Sequence, residues 1–175
     1  MADSLPDLAD LTPLPFLTTA GTIDPSYEKR IGVYAIFDQH QTLQYVGYSR
    51  NLAISLLQHL VRQPDHCHGL KVHTVDRPDR QLLVQIQNHW LTGQFPPGNG
   101  SEAKLWSESI NVQDYWTAAE ATTVAKSEEG DKPKLLKKIA RRLEAEILAK
   151  LEARGVRQQI RFNPKLKEQG LLDVT

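Results

Sequence analysis

Three groups of residues in this sequence are of types that do chemistry. Gly32-Val33-Tyr34 is followed, after ten intervening residues, by Tyr45-Val46-Gly47, which sets two phenols on neighbouring extended segments. Two readings are open for that pair: a shared site, or two rings that merely pack. Asp65-His66-Cys67-His68 holds the side chains of a zinc site. Adjacent positions alternate in direction, however, and zinc draws its ligands from separated segments. No second Cys and no His pair completes four ligands, so this run is expected to be a polar loop. The third group is basic. From Lys132 to Lys167 there are 12 Lys or Arg against Glu144, Glu146 and Glu152. Lys134, Lys137, Lys138, Arg141 and Arg142 share the first turns of a helical pattern. Such a surface tracks phosphates, or it is an ordinary solvated face paired with residues 101–131, where seven acids stand against two lysines.

The elements that must position these groups follow from periodicity. Ile31–Phe37 is a short apolar run rich in β-branched and aromatic residues, as a buried strand is. Asp38–Thr42 is polar and turn-like, and Leu43–Gly47 is the next strand, so the two form an antiparallel hairpin. Asn51 can cap a helix reaching Arg62 through its side-chain oxygen, with Leu52, Leu56, Leu57 and Leu60 on one face. Leu70–Val75 alternates as a third strand does. Asp79 or Asp76 can cap a second helix bearing Leu82, Leu83, Ile86, Trp90 and Leu91, stopped by Phe95-Pro-Pro-Gly-Asn-Gly100. Thr117–Gly130 has the composition of a loose connection. Leu136, Ile139, Leu143, Ile147 and Leu151 then predict a long helix from Lys132, with Gly155 as its stop. Trp106, Tyr115 and Trp116 are expected to anchor the connection onto the core.

Composition sets the bounds. The chain has 175 residues, 21 basic and 21 acidic, so net charge does not point to a polyanionic partner. One cysteine excludes an intramolecular disulfide and suits a reducing compartment. Residues 1–27 carry four Asp, no Lys or Arg, and prolines at 6, 13, 15 and 25. They read as an extended arm, with either disorder or docking of Leu14–Leu17 on the core left open. No secretory signal and no run of 18 apolar residues is present, so a soluble, cytoplasmic protein without membrane contact is expected.

The paired triplets, their spacing, the Asn-capped helix and the segment Pro97-Gly98-Asn99 together resemble the GIY-YIG nuclease superfamily over about 70 residues. The resemblance implies an α/β fold, with a small antiparallel sheet of about three strands flanked by helices, to which the long C-terminal helix is added. It covers a GIY-YIG-like domain (30–100), and composition and charge give the rest: an extended N-terminal arm (1–29), an acidic connection (101–131) and a basic C-terminal helix and tail (132–175). It also implies site residues: Tyr34, Tyr45, His59 and Asn99, with the motif glycines Gly32 and Gly47. Two expected groups are absent. The position of the family's arginine holds Ser55, with neither Arg50 nor Arg62 an obvious replacement. No Glu occurs between Glu28 and Glu102 to hold a metal ion.

Without a preorganised cation and a metal ligand, phosphodiester hydrolysis loses its two largest contributions. The implied function is therefore a degenerate domain that binds nucleic acid or protein. The alternative is an active metal-dependent endonuclease with relocated groups, Glu102 among them. No metal site and no cofactor are expected, or Mg2+ or Mn2+ if the site is active. Arg50, Lys134, Lys137, Lys138, Arg141 and Arg142 are the candidate nucleic-acid contacts. A purely structural interaction protein, its basic helix docked on an acidic partner, is the third reading.

Overall fold

The computed structural model describes residues 4–175. It divides into two compact units, one ending at Ser107 and the other spanning Glu108–Thr175.

The first unit is built on the hairpin. Strand β2 (Ile31–Phe37) pairs antiparallel with β3 (Leu43–Ser49), with Tyr34 opposite Gly47 and Ile36 opposite Tyr45. Asp38 orders the turn between them, its carboxylate accepting from the amides of His40 and Thr42 at 2.9 Å each. Strand β4 (Gly69–Val75) pairs antiparallel with the other side of β2. The two-residue strand β1 (Leu14–Pro15) extends the sheet beyond β4, giving the order β1-β4-β2-β3. The sheet thus has four strands rather than about three. The extra one comes from the proline-rich arm, whose alternation is too short to read as a strand.

Period-two alternation sends neighbouring residues of β2 to opposite faces, and a helix covers each face. Helix α1 (Leu52–Arg62) buries Leu52, Leu56, His59, Leu60 and Val61, and Asn51 caps it by accepting from the Ile54 amide. Helix α2 (Arg80–Leu91) lays Leu83, Ile86 and Trp90 against Val33, Ala35 and Val46, with Asp79 accepting from the Leu82 amide as its cap. Each such side chain removed from water contributes about 1.5–3 kcal/mol, which is what holds both helices to the sheet. The arm is packed rather than disordered: Phe16 and Ile23 are buried, and the Trp90 indole donates to the Pro6 carbonyl at 2.8 Å. A short helix α3 (Ala103–Ser107) ends the unit and buries Trp106.

The second unit contains a two-stranded antiparallel sheet, β5 (Ile110–Asn111) with β6 (Leu171–Leu172). Helix α4 (Ala118–Lys126) occupies the stretch expected to be a loose connection. Thr117 and Glu120 form a reciprocal capping box at its start, a signal worth more than the Ala/Thr/Ser composition that obscured it. Helix α5 (Lys132–Ala153) is the long C-terminal helix, burying Ile139, Ala140, Leu143 and Leu151. Gly155 follows at φ 90°, the left-handed conformation that ends helices. Helix α6 (Pro164–Lys167) precedes β6. No helix among the described residues is long and apolar enough to cross a membrane.

Candidate functional site

Tyr34 and Tyr45 lie on adjacent strands of one sheet face, and α1 brings His59 down onto them. The Tyr34 hydroxyl sits 2.6 Å from His59 Nε2. The Tyr45 ring lies 4.6 Å from the imidazole and 6.0 Å from the Tyr34 ring, centroid to centroid. Trp106 closes the cluster, its ring 5.5 Å from Tyr45 and stacked within 1°. Gly47 makes the crowding feasible. A Cβ there would stand 2.5 Å from Tyr45 Cε1 and 2.8 Å from the Tyr34 hydroxyl.

Burial fixes the protonation states. Tyr34 is 2% exposed and His59 3%. Burial pushes the Tyr34 phenol well up, and the neighbouring Tyr45 adds to the rise. Burial, then the Arg62 guanidinium, pushes His59 down to about 3. The neutral imidazole and the Tyr34 hydroxyl share one hydrogen bond, and neither group is poised to ionise near neutral pH. Tyr45 is also raised, chiefly by burial. In the resting arrangement the Tyr34 hydroxyl and His59 Nε2 face each other, both neutral, beside the Arg62 cation.

Asn99 does something different from the other three. Its side-chain oxygen accepts from the Val46 amide at 2.7 Å, and its nitrogen donates to the Val46 carbonyl at 2.8 Å. One side chain thereby replaces a strand partner at the free edge of β3, with Gln87 donating to the same carbonyl at 3.0 Å. It organises the edge behind the tyrosines and does not point into the aromatic cluster. Gly98 permits the approach, since a Cβ there would meet the Gln44 carbonyl at 2.5 Å. Ser55, at the expected arginine position, donates to Ser49 Oγ at 2.6 Å.

Two participants escaped the sequence. Arg62, not an obvious replacement for the absent arginine from sequence, donates from Nη1 to the Trp106 carbonyl at 3.0 Å and acts electrostatically on Tyr34, Tyr45 and His59. Trp106, read only as an anchor, is the stacking partner. A signal for Arg62 was present: it lies seven residues from Ser55, two turns along the same helix face. Tyr115, grouped with Trp106 as an anchor, is exposed instead.

The basic candidates are spread. Arg50 follows the end of β3 and lines a cleft with Arg80. On α5, Arg142 is gripped by Glu120 at 2.6 and 2.8 Å and reaches Glu146 at 2.8 Å, while Lys137 lies 3.7 Å from Glu168. The acidic stretch thus does pair with part of the basic helix. Lys134, Lys138 and Arg141 stay exposed at spacings of four and three, on one face. Among the described residues no group of three or more His, Cys, Asp or Glu is placed to hold a metal ion. Cys67 is fully buried, its thiol donating to the His59 carbonyl at 3.5 Å.

No family model matches the chain. A bifunctional monothiol glutaredoxin-S16, chloroplastic, of Arabidopsis thaliana is 43% identical to it over 76 residues, which is 40% of this chain and 26% of that protein. The chain therefore spans about a quarter of the relative it matches. This finding overturns the GIY-YIG assignment, which rested on two triplets, a helix cap and one Asn rather than on similarity sustained over 76 positions. With it go the degenerate nuclease-domain function, the active-endonuclease alternative and the nucleic-acid-binding role drawn from them. The relative's chloroplastic name also leaves the cytoplasmic expectation without support.

Proposed function

We propose that this chain is the non-thiol companion of a monothiol glutaredoxin, a module that serves thiol chemistry carried by another polypeptide. The relative is named as bifunctional, and the similarity covers only 26% of it. A glutaredoxin attacks disulfides with a thiolate, so its cysteine must be reachable and readily ionised. Cysteine ligation of an iron–sulfur cluster asks for the same access. Cys67, the one cysteine of this chain, is 0% exposed and faces the backbone of α1. Nor does it stand in a C-x-x-C pair beside a βαβ unit: the strands of the main sheet all pair antiparallel. The residues present do not fit a resident glutathione-dependent redox centre.

The observation that carries the reading is this combination of a one-quarter match and a sealed thiol. Two activities joined in one relative are represented here by the part without the thiol. A separate glutaredoxin then becomes the expected protein partner. The aromatic cluster would serve that role by fixing α1, β3 and the Asn99 segment as one rigid body.

Titrating the full chain with a purified monothiol glutaredoxin in a calorimeter tests this. The expected result is saturable binding that Cys67→Ser leaves unchanged. Absence of binding overturns the reading, and so does glutathione-dependent disulfide reduction by this chain alone that Cys67→Ser abolishes.

A further inference from the structure

A cleft separate from the tyrosine cluster lies where β3 ends and α2 begins. Tyr48, Ser49, Arg50, Pro78, Arg80 and Leu83 line it, around a volume of about 310 Å³. We propose that this cleft binds a small oxyanion, a phosphate or carboxylate group on a compact apolar body.

Charge carries the argument first. Arg50, just past β3, and Arg80, at the start of α2, both line the cleft, and among the described residues neither guanidinium is paired with a carboxylate. The nearby acid, Asp79, accepts from the Leu82 amide through one oxygen as the cap of α2 and keeps its negative charge, with which a bound oxyanion must compete. A bound oxyanion can accept from both side chains the planar, bidentate donation that guanidinium groups make best.

The backbone adds donors. The caps of α2 occupy the amides of Leu82 and Leu83, which leaves those of Arg80 and Gln81 at the positive end of the helix. Tyr48 is two residues from Val46 along the free edge of β3, so its peptide faces outward with the same alternation. The remaining wall is apolar: the Tyr48 ring, Pro78 and the buried Leu83. A cleft with a charged end, an apolar wall and this volume matches the small end of ligand sites, about 300–1,000 Å³. The inference is independent of the glutaredoxin-linked reading, since it uses neither Cys67 nor a protein partner.

Amide NMR of the full chain, titrated separately with inorganic pyrophosphate and with reduced glutathione, tests it. These probes offer phosphate and carboxylate oxyanions. The expected result is saturable shifts confined to residues 48–50 and 80–83 with at least one probe, and the probe that saturates identifies the oxyanion. Arg50→Gln and Arg80→Gln should each weaken that probe about tenfold or more, as loss of a charge-assisted hydrogen bond does, while Lys134→Gln in the second unit changes nothing. Circular dichroism of each variant verifies the fold. Shifts that fail to saturate with both probes, or affinities that both arginine variants retain, overturn the proposal.

Discussion

The aromatic cluster of the first unit and the ion-paired face of α5 are held together by opposite physics. Around Tyr34 and His59 the phenols and the imidazole are neutral and shielded from water, with Arg62 the one cation beside them, so stability comes mainly from stacking, close fit and one short hydrogen bond. Around Arg142 the partners are charged carboxylates at the surface: Glu120, whose acid is held low chiefly by that guanidinium, and Glu146. The first region should therefore be sensitive to shape and to pH in the histidine range, and indifferent to salt. The second should tolerate shape changes and respond to salt.

The largest effect expected is that of Trp106→Ala. Removing a fully buried indole from a stack costs about 3–5 kcal/mol, read as a drop in urea midpoint at unchanged slope. A loss below about 1 kcal/mol would mean that Trp106 does not close the cluster. Gly47→Ala comes next, at roughly 3 kcal/mol, the upper part of the overpacking range, because the new methyl meets two aromatic rings rather than a flexible chain end. Recovery of stability in Gly47→Ala/Tyr45→Leu would identify the Tyr45 ring as the obstacle.

Acidification separates the regions further. His59 titrates near 6.5 when unfolded and is pushed down to about 3 in the fold, so below pH 6.5 the unfolded chain takes up a proton that the folded chain refuses. That stability is complete above the unfolded value and is lost as pH falls through the window towards 3. From about pH 7.5 to about pH 5 the loss is about 2 kcal/mol, and His59→Gln should remove most of this slope. A wild-type stability flat over that range would contradict a buried neutral imidazole. The smallest effect is that of Arg142→Gln, no more than about 1 kcal/mol and fading at high salt, as surface pairs do. An effect unaltered in 1 M NaCl would show that Arg142 acts by packing.

How far the sequence could be read follows the same division. Strands β2, β3 and β4 and helices α1, α2 and α5 are legible because each carries one strong periodicity and a recognisable cap or stop. Asn51, Asp79 and Gly155 stand where those readings put them. β1 and the β5–β6 pair are two residues long, too short for alternation to show, and exist only through their partners. Helix α4 was hidden by composition, although its capping box stands in the sequence as Thr117-x-x-Glu120.

At the candidate site, His59 entered only through the family resemblance, whereas the hairpin that sets Tyr34 and Tyr45 on adjacent strands could be read from the sequence. The roles of Arg62 and Trp106 could not, since they depend on where residues 97–107 return against α1. The family assignment failed for a related reason: a few motif residues report a local hairpin, whereas similarity over 76 residues samples a whole segment.

Thiol accessibility puts the account to its most direct trial. Cys67 in the native chain, exposed to excess 5,5′-dithiobis(2-nitrobenzoate) at about pH 8, should release no thionitrobenzoate on the timescale of minutes. In denaturant it should then release one equivalent, because only the fold's burial of the thiol shields it from the reagent. Release of a full equivalent from the folded protein within seconds would show a reachable, ionised thiol and would contradict the assignment of redox chemistry to a separate partner.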